Sequence, residues 1–149
     1  MELVKQFSVF LVNKPGVLAQ VMKVIAQAKI NILAMTMTDS SEHGVLRLVG
    51  EDADKLRRAL AGLNLPTTET DVLMVAMANR AGALADICQR LAEAHINIGY
   101  AYCTTGASGG KTTGIFKVAD NQKAMRVLKE KGSSNREDKH KVYRQPGLR

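Results

Sequence analysis

One stretch of this chain is written twice. Asn13 to Ala19 (NKPGVLA) matches Asn79 to Ala85 (NRAGALA), and Ile30-Asn31-Ile32 matches Ile96-Asn97-Ile98, all at an offset of 66 residues. Nine of the 22 positions from Asn13 to Ala34 are identical to their partners. A match that long and that regular means one folding unit used twice, so whatever the first copy forms the second must form also.

Each copy reads the same way. Gln6 to Val12 and Val72 to Met77 are β-rich runs, followed by a glycine-containing turn. A helix comes next, with Leu18, Val21, Met22, Ile25 and Ala28 on one side, and Leu84, Ile87, Cys88, Leu91 and Ala94 in the second copy. A stripe of period 3.6 packs one helix face on a sheet. A second strand starts at Ile30 and at Ile96, and a hairpin returns through Gly44 to Val49 and through Gly114 to Val118. A second helix opens at Asp52, whose carboxylate caps it, with Leu56, Ala59, Leu60 and Leu63 inward; its counterpart opens at Asp120, with Ala124, Val127 and Leu128 inward. The offset has grown to 68 there. The two extra residues fall in the hairpin at Gly106 to Gly110.

Strand, helix, strand, strand, helix, strand is the split βαβ pattern. The predicted class is α+β: tandem ferredoxin-like βαββαβ units, with antiparallel sheets and helices on one face. The first unit's closing strand must lie in Leu65 to Asp71, which leaves no linker before Val72, so the two sheets are expected to be continuous. The divisions are 1–70 for the first module, 71–131 for the second, and 132–149 for a basic tail holding a candidate last strand at Lys139 to Arg144.

Composition narrows the partners. The net charge is +7. Residues 1–128 carry 14 basic and 11 acidic side chains, whereas 129–149 carry seven and three, so most of the excess is a C-terminal fringe. Three Phe, three Tyr and no Trp make a poor set of stacking platforms for single-stranded nucleic acid. No apolar run approaches the roughly 18 residues of a membrane span. Nothing at the N-terminus resembles a signal peptide. A cytoplasmic protein is expected. Cys88 and Cys103 fit no metal or redox spacing and read as buried thiols.

Catalysis is poorly supplied. His43, His95 and His140 stand at metal-ligand spacing from no other His, Cys or carboxylate, and no nucleophile motif is present. The run Gly106 to Thr112 has three residues between its outer glycines where a phosphate loop needs four, and a strand follows it rather than a helix. No enzyme, cofactor or metal is expected. The positions of interest are the two strand-to-helix turns. At Asn13, Pro15, Gly16, Val17 and Leu18, and again at Asn79, Gly82, Ala83 and Leu84, a helix N-terminus with little side-chain bulk exposes unpaired N–H groups suited to a carboxylate. The plainer alternative is a turn and a helix start. Asn31 with Ile32, and Asn97 with Ile98, open each second strand; their amides can meet a ligand or cap the preceding helix end.

These residues carry a resemblance. A first strand, a turn running from Asn13 through Pro15 and Gly16 to Leu18, and a helix ending in Ile30-Asn31-Ile32 resemble the ACT domain. The second copy repeats it from Asn79 to Leu84 and at Ile96-Asn97-Ile98, with Ala81 in place of the usual Pro. Lys29 and His95 stand where the family usually has a helix-ending Gly. The resemblance implies a regulatory module binding a small effector, usually an amino acid, where the first turn of one module faces the second strand of a neighbour. It also implies a homodimer, open sheet edges pointing the same way, and action on a separate metabolic enzyme or as a free sensor. Two other classes compete. An RNA-binding ferredoxin-like protein suits the basic charge but lacks the base-stacking aromatics. An acyl-phosphate hydrolase would have to use Arg80 and Asn97, and the first copy offers only Lys14.

Overall fold

The computed structural model describes residues 1–39, 43–105 and 110–130. In chain order the elements are β1 (Glu2–Val12), α1 (Val17–Gln27), β2 (Ile32–Thr38), β3 (His43–Gly50), α2 (Ala53–Ala61), β4 (Thr67–Ala78), α3 (Ala83–Glu93), β5 (Ile98–Thr105), β6 (Lys111–Val118) and α4 (Asn121–Lys129). All six strands join one antiparallel sheet in the order β2-β3-β1-β4-β6-β5.

Two long strands make the sheet continuous. β4 runs through the expected boundary at residues 70 and 71 without a break. Its first part pairs with β1 from Thr67 to Met74, and its last part pairs with β6 from Leu73 to Ala78. Lys5 lies opposite Asp71 in the β1–β4 register, and these residues are 66 apart, the repeat offset. Equivalent positions facing one another place a local two-fold axis between them. An ion pair of 2.8 Å joins the two side chains there. The symmetry explains how the second unit gains a fourth strand: Glu2, Leu3 and Val4 of β1 lie beside Met74, Leu73 and Val72. The segment Lys139 to Arg144, expected to close that unit, lies outside the described residues, as does the tail.

The helices cover one face. Phe7, Val9 and Leu11 point the same way as Leu73, Val75 and Met77, since Leu3 pairs with Leu73 and alternation does the rest. On that face α1 and α2 bury Val21, Ile25, Leu56 and Leu60 over the first unit. α3 buries Ala83, Ile87 and Leu91, and α4 buries Ala124, over the second. Each large aliphatic side chain removed from water contributes about 1.5–3 kcal/mol. Asp52 and Asp120 cap α2 and α4 as expected, accepting the N–H of Lys55 at 3.0 Å and of Lys123 at 2.9 Å. The backbone bond from Lys55 holds the Asp52 carboxyl below its ordinary range.

The other face is not open, and here the sheet departs from expectation. The edge strands β2 and β5 approach to Cα–Cα separations of 8 Å or less, so the sheet curls with the helices outside. Its concave face buries Ala34, Val49, Val72 and Ile115 without any helix above them. Gln6 is fully buried at its centre. Its Nε2 donates to Tyr100 Oη at 2.7 Å and to Ser8 Oγ at 3.4 Å, and Tyr102 Oη donates to its Oε1 at 2.9 Å. The Arg47 guanidinium lies 4.5 Å from the Tyr100 ring centroid. Burial raises the Tyr102 phenol well above its usual pKa. The curl turns the two sheet edges toward each other, yet β2 and β5 do not pair and remain the edge strands of the sheet.

Candidate functional site

The two strand-to-helix turns have nearly the same backbone. Gly16 sits at φ +90° and ψ −17°, and Gly82 at φ +87° and ψ −18°. Such positive φ is what excludes other residues, so glycine is needed here for conformation before any ligand is considered. Lys14 N–H donates to Val12 O at 2.8 Å and Arg80 N–H to Ala78 O at 2.9 Å, which explains why Ala81 in place of Pro15 leaves the second turn unchanged. No side chain caps either helix. The first helical i to i−4 bonds come from Gln20 to Gly16 O and from Asp86 to Gly82 O, at 3.0 and 2.9 Å. The N–H groups just ahead of them, at Leu18 and Ala19 and at Leu84 and Ala85, point out of the helix end and favour an anion.

The surroundings of the turns differ. A Cβ at Gly16 would meet nothing within 4 Å, and Asn13 Nδ2 donates to Asp39 Oδ1 at 3.1 Å, tying the turn to the end of β2. At the second turn Asn79 N–H donates to Gly110 O at 3.0 Å. Arg80 folds over the turn, bonding Ala81 O at 3.0 Å and pairing with Asp86 at 2.8 Å. A cleft of about 180 Å³ opens there. Met77, Ala78, Asn79, Arg80, Ala83 and Leu84 form one side of it. Cys103, Thr105 and Thr112 form the other. Leu84 is 44% exposed.

Asn31 and Asn97 lie at the opposite ends of their units from Gly16 and Gly82. An 11-residue helix separates turn from asparagine in each, about 16 Å of axial rise. Within one unit the structure does not bring these residues together. Both asparagines are exposed, and their carbonyls accept Glu51 N–H at 3.0 Å and Ala119 N–H at 3.1 Å. Neither caps the preceding helix. Lys29 and His95 do that in the left-handed conformation, both at φ 55°. Ile30 N–H reaches Ile25 O and Ile96 N–H reaches Leu91 O, closing each helix end. β2 then shifts register between Ile32 and Ala34, as β5 does between Ile98 and Tyr100.

Several features escaped the sequence reading. Cys88 is half-buried and Cys103 is exposed, so neither is a core thiol. Burial, then the neighbouring Cys88, raises the Cys103 pKa and keeps it a thiol rather than a thiolate nucleophile. A second cleft, about 210 Å³, lies between α2 and the start of β4 over Phe7, Leu60 and Leu65. Arg57 and Glu69 wall it; Arg57 Nε and Nη2 both reach the Glu69 carboxylate, the latter at 3.0 Å. No apolar or nucleophile motif marks these residues, since their partners are distant in sequence. Gly106 to Gly109 lie outside the described residues, and β6 follows them at Lys111. No group of three or more His, Cys, Asp or Glu gathers as a metal site among the described residues. No helix among them is long and apolar enough to cross a membrane. Tyr100 and Tyr102, the aromatic pair that an RNA platform would present, are spent on Gln6 and Arg47.

Two ferredoxin-like units on one shared sheet, each opening its first helix on an uncapped glycine turn, define a tandem α+β pair. The chain belongs to the ACT domain pair family, whose model matches residues 2–142. Its structure is similar to that of BT0572 from Bacteroides thetaiotaomicron, at 32% identity and a TM-score of 0.79, covering 87% of this chain and 88% of that one. The fold is also similar to the ligand-free regulatory subunit of aspartate kinase from Thermus thermophilus, at 15% identity and a TM-score of 0.63, covering 85% and 91%. Aspartate kinase from Synechocystis gives 17% and 0.58, with 84% of this chain against 24% of that one. No curated protein sequence matches the chain.

Proposed function

We propose that this chain is a regulatory module that binds an amino acid and acts on a separate metabolic enzyme or as a free sensor. The observation that carries the reading is the pair of helix N-termini without a side-chain cap, each entered through a left-handed glycine. An α-amino acid holds its two charges on adjacent atoms. Its carboxylate suits the N–H groups of Leu18 and Ala19 or of Leu84 and Ala85, since those of Val17 and Ala83 close the turns onto Lys14 O at 3.4 Å and Arg80 O at 3.3 Å. Asn13, Pro15 and Asn79 shape those turns. Asn31, Ile32, Asn97 and Ile98 supply the acceptor side from a neighbouring module. Since each asparagine lies at the far end of its own unit, that neighbour is the other unit or a second copy, and a homodimer is part of the proposal. That a regulatory subunit of aspartate kinase, the one from Thermus thermophilus, shares this fold supports the reading without identifying a ligand.

A thermal-shift screen against the twenty amino acids tests the reading. A ligand at 100 times its dissociation constant stabilises by about 2.7 kcal/mol. For a chain of this size that is a rise of roughly 5–10 °C. A chain unmoved by all twenty is not an amino-acid sensor. Light scattering at micromolar concentration should report twice the chain mass.

A further inference from the structure

The concave face carries one polar row that the repeat does not explain. Ser8, Arg47 and Thr36 lie side by side across β1, β3 and β2, and all three point into the curl. Directly opposed residues of an antiparallel pair hold their Cβ atoms about 5 Å apart. The repeat puts Met74, Ile115 and Tyr102 at the equivalent places of the second unit, at offsets of 66, 68 and 66. There the row is largely apolar and joins the cluster around Val72. Arg47 is half-buried, and Ser8 is 7% exposed. The Arg47 guanidinium stacks on Tyr100 of the second unit. Its charge also reaches the Tyr102 phenol, where burial and then Tyr100 raise the pKa and Arg47 opposes them. Stacking occupies the face of a guanidinium but none of its five N–H donors. Among the described residues no carboxylate or carbonyl accepts from them.

Lys117 lies across from Tyr100 on β6, half-buried as well, and has no acidic partner among the described residues. Of the described strand residues on this face only Glu2 is acidic, six positions along β1 from Ser8, which is roughly 20 Å. Two half-buried cations without a counter-charge are costly unless an anion joins them. The Ser8 hydroxyl oxygen accepts from Gln6 Nε2 at 3.4 Å, so its own hydrogen remains to be donated. We infer that Arg47, Ser8 and Thr36 form a second ligand site, for a small tetrahedral oxyanion of the phosphate or sulfate class, with Lys117 adding positive potential. This uses neither glycine turn and stands apart from the amino-acid reading. The guanidinium fork takes two oxygens and the two hydroxyls take a third, which a planar carboxylate does not have. Arg47 belongs to the first unit, whereas Tyr100 and Lys117 belong to the second, so a bound oxyanion holds β3 against β5 and steadies the curl.

The chain has no Trp, and its tyrosines are Tyr100, Tyr102 and Tyr143, so tyrosine emission reports on this site. The full chain is titrated with sodium phosphate, sodium sulfate and glycerol 3-phosphate, with ionic strength held constant by sodium chloride. A saturable change in emission is expected, with one anion per chain by calorimetry. An ester that binds as tightly as phosphate extends the ligand to phosphorylated small molecules; an ester that is refused confines the site to the free ion. Arg47→Gln should weaken binding at least about tenfold, and Arg47→Lys, which keeps the charge but loses the fork, should not restore it. Thr36→Val keeps the shape and the Arg47–Tyr100 stack, so it remains informative if the Arg47 variants misfold; it should weaken binding about fivefold. Arg126→Gln, exposed on α4, should bind as the parent does. A response that never saturates, one that chloride matches, or full affinity in folded Arg47→Gln and Thr36→Val would each overturn the inference. None of these outcomes bears on the amino-acid reading, which the thermal-shift screen tests separately.

Discussion

The two units differ where their backbones agree. Their turns match within 3° in φ, and their helix ends hold a left-handed residue, Lys29 or His95, at the equivalent position with the same closing bonds. Their side chains then diverge. In the first unit Arg57 of α2 ties Glu69 and Asp54. In the second, Arg90 of α3 instead donates to Val127 O and Glu130 O, satisfying carbonyls at the end of α4. The concave face shows the largest divergence. Gln6 and Val72 are equivalent by the repeat, yet Gln6 holds two tyrosines of the other unit while Val72 lies among Ala34, Val49 and Ile115. Duplication repeated the parts that set the chain path. It left free the parts that fasten one unit to the other, and those became complementary rather than equal.

The sharpest way to break this comparison is to truncate both equivalents. Gln6→Ala empties space at the buried centre and leaves the Tyr100 and Tyr102 hydroxyls without their partner. The two effects together should destabilise the fold by about 3–4 kcal/mol in urea denaturation. Val72→Ala only opens a cavity, for about 2 kcal/mol. Equal losses would mean that water replaces the amide and that Gln6 does not fasten β5. Gln6→Leu keeps the volume and isolates the hydrogen bonds.

A second pair of variants asks whether the turns are energetically alike. Gly16→Ala and Gly82→Ala should each lose about 1–2 kcal/mol, because both positions hold φ near +90° where a Cβ is strained. The two values should agree within about 0.5 kcal/mol if Pro15 contributes nothing beyond the shared backbone. A smaller loss at Gly82 would show that Ala81 lets the second turn adapt.

Acid should act on the first unit through Glu69 and Asp52. Their carboxyls are held below the ordinary range, Glu69 chiefly by Arg57 and Asp52 chiefly by the Lys55 backbone N–H. A depressed folded-state pKa gives stability that is present above the unfolded value and lost as pH falls through the folded one. The melting temperature should therefore fall from about pH 4 downward, and Arg57→Gln should flatten that fall. These groups are exposed, so the effect is modest. An unchanged slope in Arg57→Gln would put the acid sensitivity elsewhere.

Much of this architecture could be read from residue order. The repeat at Asn13 and Asn79 fixed the element order, because spacing between local signals survives folding. The Asp52 and Asp120 caps were legible for the same reason. The curl was not. Gln6 sits in an ordinary alternating strand, and nothing local says that Tyr100 and Tyr102, 94 and 96 residues away, will meet it. The candidate site was half legible. Both glycine turns were visible as motifs, but the cleft beside the second brings Cys103 and Thr112 of the hairpin to the same opening as Ala83, which no local signal predicts. Asn31 and Asn97 were rightly placed at strand starts, and only the structure put them a helix length away from the turns.

The smallest expected effect concerns the helix ends, where sequence and structure agree in detail. Lys29 and His95 hold φ 55° and Asn64, ending α2, holds 51°. A side chain in that region crowds its own carbonyl, which costs roughly 1 kcal/mol, less for asparagine because its short amide tolerates the conformation. Glycine removes the crowding but gives the unfolded chain more freedom, which takes back about 0.4–1 kcal/mol. Lys29→Gly and His95→Gly should then gain a few tenths of a kcal/mol each, and Asn64→Gly should gain nothing or lose slightly. Denaturation at constant pH, with all three variants measured together, resolves that order. A clear loss at Lys29 or His95 would mean the side chain contributes more through contacts along its stem than it loses in backbone strain, and the two helix ends would then be stabilised by the residues they carry rather than in spite of them.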